Sequence, residues 1–217
     1  MMKANKKKLH DLLVMAGVVA LFAVVAGLLY SGSLSRQVTN MLIPTSVYIV
    51  LAVSLNLVVG LLGELSLGHA GFMSVGLFSG CLVSIALSQT AMPLAVRMVM
   101  AMLAGGLVAA VFGLLVGLPT LRLKGDYLAI VTLACGEIIK NVITNLDITG
   151  GALGLNTSAV YSGAQVLLPY AAALVLITCV VMLNLKRSKY GRAIMAIRDN
   201  RIAAESVGLN VTFFKLA

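Results

Sequence analysis

The chain has 217 residues, of which 60% are apolar and only 11% are charged. Soluble domains carry about 25% charged residues, so this composition excludes a soluble globular protein and indicates an integral membrane protein. The formal net charge is +9, but the basic residues cluster at the ends of apolar segments and lack the interleaved aromatic residues of a nucleic-acid-binding surface. Cysteines at positions 81, 135 and 179 stand in separate apolar segments without metal-ligand spacing. They are expected to be small buried side chains, and no metal site is expected.

Residues 1–11 contain four lysines and precede an apolar run from Leu12 to Tyr30. The apolar core of a signal peptide has about 7–15 residues, and this run is longer, so it predicts a retained membrane helix with a cytoplasmic N-terminus. Apolar segments of membrane-spanning length are predicted at residues 12–30, 41–62, 68–87, 94–118, 127–145 and 166–185. The expected fold class is therefore all-α, a polytopic membrane helix bundle with about six transmembrane helices.

Basic residues also indicate which segments face the cytoplasm. Thirteen of the 16 occur in the tail 1–11, at Arg122 and Lys124, and throughout residues 186–217, whereas Arg36 and Arg97 belong to predicted outside segments or their flanks and Lys140 to a span. Residues 146–165 have no Lys or Arg. The predicted organisation is a cytoplasmic tail (1–11), a transmembrane domain (12–185) and a cytoplasmic segment (186–217). A cysteine placed at Ser158 is expected to be labelled from outside, and one at Ser188 is not.

Two predicted spans carry small residues at every fourth position. These ridges are Gly76, Gly80, Ser84 and Ser88 in one span, and Ala101, Gly105, Ala109, Gly113 and Gly117 in the other. Small residues let membrane helices approach closely, so both spans are predicted to pack against neighbours. The alternative is chance in a chain that is rich in Ala and Gly.

The span 127–145 contains two ionisable residues, Glu137 and Lys140. Their spacing of three places them on one helix face, where they can pair. We predict a structural charge pair at a helix–helix or subunit contact, because each charge alone is costly within a membrane. The competing hypothesis is a proton- or ion-coupling pair.

Residues 60–72, GLLGELSLGHAGF, interrupt two apolar runs with almost no loop between them. Broken backbone at membrane depth is tolerated where it is buried or lines a wet cavity, and transporters use such breaks for binding or gating. An ordinary tight cytoplasmic turn is the alternative. The candidate pathway or gating residues are Asn56, Gly63, Glu64, Ser66 and His69 here, with Thr149, Gly150 and Gly151 in the Gly-rich turn after the charged span.

The segment after the last span has an apolar stripe at Tyr190, Ile194 and Ile197, followed by a predicted short helix 201–207 that ends at Gly208. Such a basic amphipathic segment can rest on anionic lipid or dock onto a cytoplasmic partner. The stripe alone does not distinguish the two.

Three stretches together carry a family resemblance. The sequences GLPTLRLKGDYLAIVTLACGEIIKNVITNLDITGG, GRAIMAIRDNRIAAESVGLN and SLNLVVGLLGELSLGHAGF resemble the LivM-type permeases of ABC importers for branched-chain amino acids; the last also resembles the sister LivH-type permeases. The tail loosely resembles the permease motif Glu-Ala-Ala-x-x-x-Gly, with Ile202 in place of the Glu. The resemblance implies that the ATPase-coupling segment includes Gly191, Arg192, Arg198, Asp199, Ala203, Ala204 and Gly208.

The resemblance implies a multi-pass permease of the bacterial inner membrane, not itself an enzyme, in contact with membrane lipid and not with nucleic acid. Its partners would be a LivH-type sister permease, two ABC ATPase subunits and a periplasmic solute-binding protein. ATP and Mg²⁺ would bind to the ATPase subunits, and no cofactor is expected in this chain, which has no phosphate-loop motif. Similar permeases continue for several more helices, so a C-terminally truncated fragment is expected. Permeases for urea, amides or other small solutes, and a self-contained ion-coupled transporter, remain as alternatives.

Overall fold

A computed structural model describes residues 2–90, 92–120, 123, 125–157, 160 and 162–216, and within them the regular structure is entirely helical. The α-helices are α1 (Met2–Tyr30), α2 (Arg36–Asn56), α3 (His69–Ser88), α4 (Leu94–Thr120), α5 (Asp126–Asn145), α6 (Ala164–Arg187), α7 (Lys189–Asp199), α8 (Arg201–Ser206) and α9 (Val211–Leu216). The structure confirms the all-α class predicted from the sequence.

Six helical segments in this part of the chain are long and apolar enough to cross a membrane. They are Asp11–Tyr30, Arg36–Leu62, His69–Ser88, Leu94–Thr120, Asp126–Asn145 and Ala164–Arg187. The second begins at Arg36 rather than at residue 41, because Ser35 caps it by accepting a hydrogen bond from the Val38 amide at 3.4 Å. The side of the membrane that the N-terminus faces stays a prediction, and Ser158, Arg122 and Lys124 lie outside the described residues.

The chain divides into two compact units, the first made of residues 1–57 and 162–195. In this unit α6 packs against α2 and α1. Leu168, Val175 and Met182 are buried on one face of α6, at intervals of seven residues. The heptad spacing is that of a helix packed along a seam with its neighbours.

Polar contacts join α1 to α6 at both ends. The Tyr30 hydroxyl donates to the Gln165 carbonyl at 3.3 Å, and Asp11 forms an ion pair with Arg187. The end of α1 therefore lies beside the start of α6, and the start of the first span lies beside the end of the sixth. The two helices are antiparallel, as an odd and an even span should be.

The second unit contains residues 58–161 and 196–217, in which α3 packs most extensively against α4. The two ridges of small residues face each other. A Cβ atom added at Gly80 would lie 3.0 Å from the Ala101 carbonyl oxygen, and one added at Gly105 would collide with the Gly76 carbonyl oxygen. The predicted close approach is confirmed here, but not along the whole ridge, because Gly113 faces open space.

Helix α5 completes the core of the second unit. Val75 of α3 forms a buried cluster with Ile139 and Ile143 of α5, and Phe72 and Val116 pack against it. The three cysteines are only partly buried and none forms a disulfide. The expectation that they are buried is met only in part.

Candidate coupling and gating site

The Gly-rich segment forms a true interruption between two spans. Helix α2 continues as a π-helical turn, Leu57–Leu62, and regular structure resumes only at His69. Gly63 has a φ of +75°, a conformation that L side chains rarely adopt. The Glu64 amide donates to the Val58 carbonyl at 3.2 Å and closes the turn. π-helical turns occur frequently at functional sites.

The side chain of Arg198, from α7, lies on this interruption. Its Nη1 donates to the Gly60 carbonyl at 2.8 Å, across 138 positions of sequence. Its Nε and Nη2 donate to Asp199 Oδ1 at 3.1 and 2.9 Å. A Cβ atom added at Gly63 would lie 2.5 Å from Arg198 Cγ. The structure thus brings together Gly63, a gating candidate, and Arg198 and Asp199, coupling candidates.

Farther along the interruption, the backbone crosses α5 at very short range. The Leu67 amide donates to Thr132 Oγ1 at 3.1 Å. A Cβ atom at Gly68 would lie 2.5 Å from the Thr132 carbonyl oxygen, and one at Gly71 would lie 2.9 Å from the Gly136 Cα. Thr132 and Gly136 were not among the predicted site residues. Their Thr-x-x-x-Gly spacing is nevertheless typical of close contacts between membrane helices.

The remaining gating candidates are distributed along this connection. Glu64 and Ser66 are partly buried between the π-helical turn and α3, and His69 is the first residue of α3. Asn56 is the last residue of α2 and is exposed. No group of three potential metal-ligating side chains occurs among the described residues.

Glu137 and Lys140 form the predicted ion pair, with Lys140 Nζ 3.4 Å from Glu137 Oε2. They line a recess of about 140 Å³ between α3 and α5, together with Leu67, Ala70, Gly71, Ser74, Leu133 and Gly136. The side chains of Lys140 and Glu137 are 65% and 57% exposed. The two charges are therefore paired with each other on a face that this part of the chain leaves open.

Thr149, Gly150 and Gly151 lie apart from the interruption. Thr149 is buried, and its hydroxyl donates to the carbonyls of Ile143 and Leu146, so it closes the end of α5. Gly150 has a φ of +80° and Gly151 a φ of +58°. With a rise of about 1.5 Å per residue, this turn is roughly 20 Å along α5 from Thr132. The structure does not bring these three residues together with the other gating candidates.

Residues 189–216, which the basic residues predict to be cytoplasmic, form three short helices joined by capped turns. The Ser188 hydroxyl accepts from the Gly191 amide at 3.0 Å at the start of α7. A side chain at Gly191 would collide with the Leu185 carbonyl, so glycine is required at this corner. The Asn200 side chain caps α8 by accepting from the Ala203 amide at 3.1 Å. Arg192 is exposed.

Helix α8 ends in a Schellman motif at Gly208, whose φ is +85°. The amide of Gly208 donates to Glu205 O at 3.0 Å, and that of Leu209 donates to Ala204 O at 3.1 Å. Ile197, Ala204 and Val211 form a small buried cluster. Two of the three predicted stripe residues, Ile194 and Ile197, are buried, whereas Tyr190 is 57% exposed. Lipid therefore does not cover the stripe as a whole, because the protein itself covers part of it.

The exposed side of this segment carries apolar residues. Ile202 is 81% exposed and Val207 is 76% exposed, while the neighbouring Ala204 is buried. Arg201 and Glu205 form an ion pair at 2.8 Å on α8. A helix–turn–helix with a packed inner face, and with Ile202 and Val207 exposed on its outer face beside this ion pair, has the form of a docking element.

These features define a class: a multi-pass, all-helical membrane protein with a broken span and, after its sixth span, a helix–turn–helix. Residues 37–217 match the family described as "Branched-chain amino acid transport system / permease component". The chain belongs to this family of permease components, and it is a multi-pass inner-membrane protein.

Three curated proteins are similar to this chain. It is 35% identical to the high-affinity branched-chain amino acid transport system permease protein LivM of Salmonella typhimurium, and the alignment covers 84% of this chain and 48% of the relative. It is 34% identical to the Escherichia coli protein of the same name, with the same coverage. A probable branched-chain amino acid transport permease protein LivM of Methanocaldococcus jannaschii is 32% identical over 48% of this chain and 34% of the relative.

The chain spans about half the length of the first two relatives. No solved structure matches it.

Proposed function

We propose that the chain is a permease subunit of an ABC importer and that it forms, with a LivH-type sister permease, the path for branched-chain amino acids. The observation that carries the proposal is the match to the permease family over residues 37–217. The names of the relatives support the choice of solute. Two ATPase subunits would supply the energy, and a periplasmic solute-binding protein would deliver the solute.

The cytoplasmic segment supports a complex in which separate subunits bind ATP and carry the solute. In this proposal the ATPases bind the outer face of α8 and α9, and ATP and Mg²⁺ stay on those subunits. The permease itself catalyses no reaction. The packed inner face, made of Ile197, Ala204 and Val211, would hold the segment in a fixed conformation when it is pushed. For the ATPases to drive transport, they must bind the outward-open and inward-open states of the permease with different affinity.

The ion pair of Glu137 and Lys140 has a structural role in this proposal. The pair is already satisfied within one helix, at 3.4 Å, and its exposed side is available to the sister permease. A path for an aliphatic zwitterion benefits from groups that release it readily, and an unpaired charge would bind it too firmly. We assign the Gly63–His69 interruption, rather than this pair, to gating.

Uptake into proteoliposomes tests the proposal. The complete complex is reconstituted with the solute-binding protein, and the entry of labelled leucine, urea or a sugar is measured with ATP inside the vesicles. Leucine entry that requires both ATP and the ATPase subunits is the expected result. Uptake driven by an ion gradient without ATPase subunits would instead establish a secondary transporter, and uptake of urea alone would reassign the solute.

A further inference from the structure

We infer that Arg198 is a positioning residue that links the cytoplasmic segment rigidly to the broken second span. The guanidinium would carry movement of α7 and α8 directly onto the π-helical turn Leu57–Leu62. The inference rests on the proposed function, since it explains how a push on the cytoplasmic segment would reach the interruption. It assigns Arg198 a contact within its own chain instead of a contact with an ATPase.

The geometry of the contact is that of a fixed link. The carbonyl of Gly60 belongs to the end of a helical segment, where carbonyl groups lack intrahelical partners and attract cations. Arg198 Nη1 reaches this carbonyl at 2.8 Å. The other two nitrogens, Nε and Nη2, each donate to Asp199 Oδ1. The planar guanidinium is thus oriented from two directions, and its charge strengthens the bond.

The stem of the arginine passes close to the Gly63 backbone, and the side chain as a whole is 41% exposed. A Cβ atom at Gly63 would lie 2.5 Å from Arg198 Cγ and 3.6 Å from Arg198 Cβ. Only glycine leaves room for the stem at this distance and also adopts the φ of +75°. Any side chain at Gly63 would displace Arg198 and break its bond to Gly60.

The rest of the cytoplasmic segment is joined to Arg198 without a flexible linker. Ile197, the preceding residue, is in the cluster with Ala204 and Val211. Asn200, two residues after Arg198, caps α8. A displacement of α8 therefore moves Arg198 with it.

The distance between the two Cβ positions permits a covalent test. Disulfides have Cβ–Cβ distances of about 3.5–4.5 Å, and the value here is 3.6 Å. In a complex in which Ala replaces Cys81, Cys135 and Cys179, we would introduce Gly63→Cys and Arg198→Cys singly and together. Disulfide formation is followed by mass spectrometry, and leucine uptake is measured before and after oxidation.

If the link is rigid, the leucine uptake of each cysteine variant can be predicted. Each single variant and the reduced double variant should take up leucine about tenfold more slowly than the parent, the factor expected from one lost hydrogen bond to a charged group. Oxidation should form the disulfide and restore uptake, because a covalent bond replaces the guanidinium. ATPase subunits should co-purify with every variant.

Further variants distinguish loss of the Arg198–Gly60 bond from strain caused by a side chain at a glycine with positive φ. Gly63→Ala should lower uptake as much as Arg198→Gln does. The double variant should take up leucine no more slowly than either single variant. Gly32→Ala is the matched control, because Gly32 has a φ of +71° with nothing within 4 Å, and it should retain uptake. Gly32 lies in the turn between α1 and α2.

The outcomes distinguish the inference from the proposed function. A parent complex without ATP-dependent uptake would refute the proposed function, whatever the cross-link shows. If the parent is active, the inference is refuted by failure of the disulfide to form, by normal uptake in the single variants, or by a disulfide-linked complex that stays inactive. Loss of the ATPase subunits from Arg198→Gln would show that the residue contacts the ATPase instead.

Discussion

At the scale of single residues, Glu137 and Lys140 place two opposite charges within the span Asp126–Asn145. Either charge alone at the middle of a membrane helix costs about 2.5–3.5 kcal/mol on insertion scales. The i, i+3 contact of 3.4 Å offsets part of that cost for both residues. The pair is consequently expected to matter for assembly rather than for solute binding.

Removing one charge should therefore harm the protein more than removing both. Glu137→Gln or Lys140→Met alone should lower the yield of membrane-inserted permease several-fold, while the double variant should recover much of it. Yield and leucine uptake are measured together for the three variants. Normal yield with absent uptake in Glu137→Gln, not repaired by Lys140→Met, would favour a proton-coupling role.

Gly208 offers a second test at this scale, because the Schellman turn depends on its φ of +85°. Gly208→Val should disrupt the end of α8 and strongly reduce uptake, with an unchanged amount of inserted permease. Gly208→Asn is the control, since asparagine tolerates this conformation at helix ends, and it should keep most of the activity. Equal uptake in the two variants would mean that the turn is not needed for coupling.

At the scale of elements, the effect of replacing a glycine of α4 depends on whether that glycine faces α3. Gly105→Ala would place a Cβ against the Gly76 carbonyl and should destabilise the permease in detergent by about 1–3 kcal/mol, as overpacking does. Gly106→Ala is the control on the neighbouring face, where nothing lies within 4 Å. It should be neutral or should stabilise the helix by up to about 1 kcal/mol. Thermal unfolding of the two purified variants measures the difference.

The sequence was informative about elements because hydropathy and small-residue spacing are local properties. The six spans and the close packing of the two ridged spans against neighbours follow from such patterns, and the structure has both. That the two ridges pack against each other became evident only from the structure. The early start of α2 at Arg36 depends on a cap at Ser35, which a hydropathy pattern does not contain.

Contacts between distant elements could not be predicted in the same way. The bond from Arg198 to Gly60 spans 138 positions, and nothing in either local sequence indicates its partner. Thr132 and Gly136 were missed because an apolar span with one threonine and one glycine looks ordinary until its neighbour is known. The burial of Ile194 and Ile197 and the exposure of Tyr190 likewise depend on how the segment folds back on itself.

At the scale of the whole molecule, the orientation in the membrane can be tested by labelling. A cysteine at Leu153, which is 99% exposed, should react with an impermeant thiol reagent added outside intact cells. In cells that lack the ATPase subunits, one at Ile202, which is 81% exposed, should react only after the cells are opened, because the basic residues around it predict a cytoplasmic location. The reverse pattern would invert the proposed topology.

The pairing of α1 with α6 has a consequence for biosynthesis. Tyr30 reaches Gln165 across 135 positions, and the first unit is made from two separate stretches of chain. At roughly 5–20 residues per second, the ribosome needs about 7–27 s to produce the stretch between them. The bonds at both ends of the first span can therefore form only once the sixth span has been inserted.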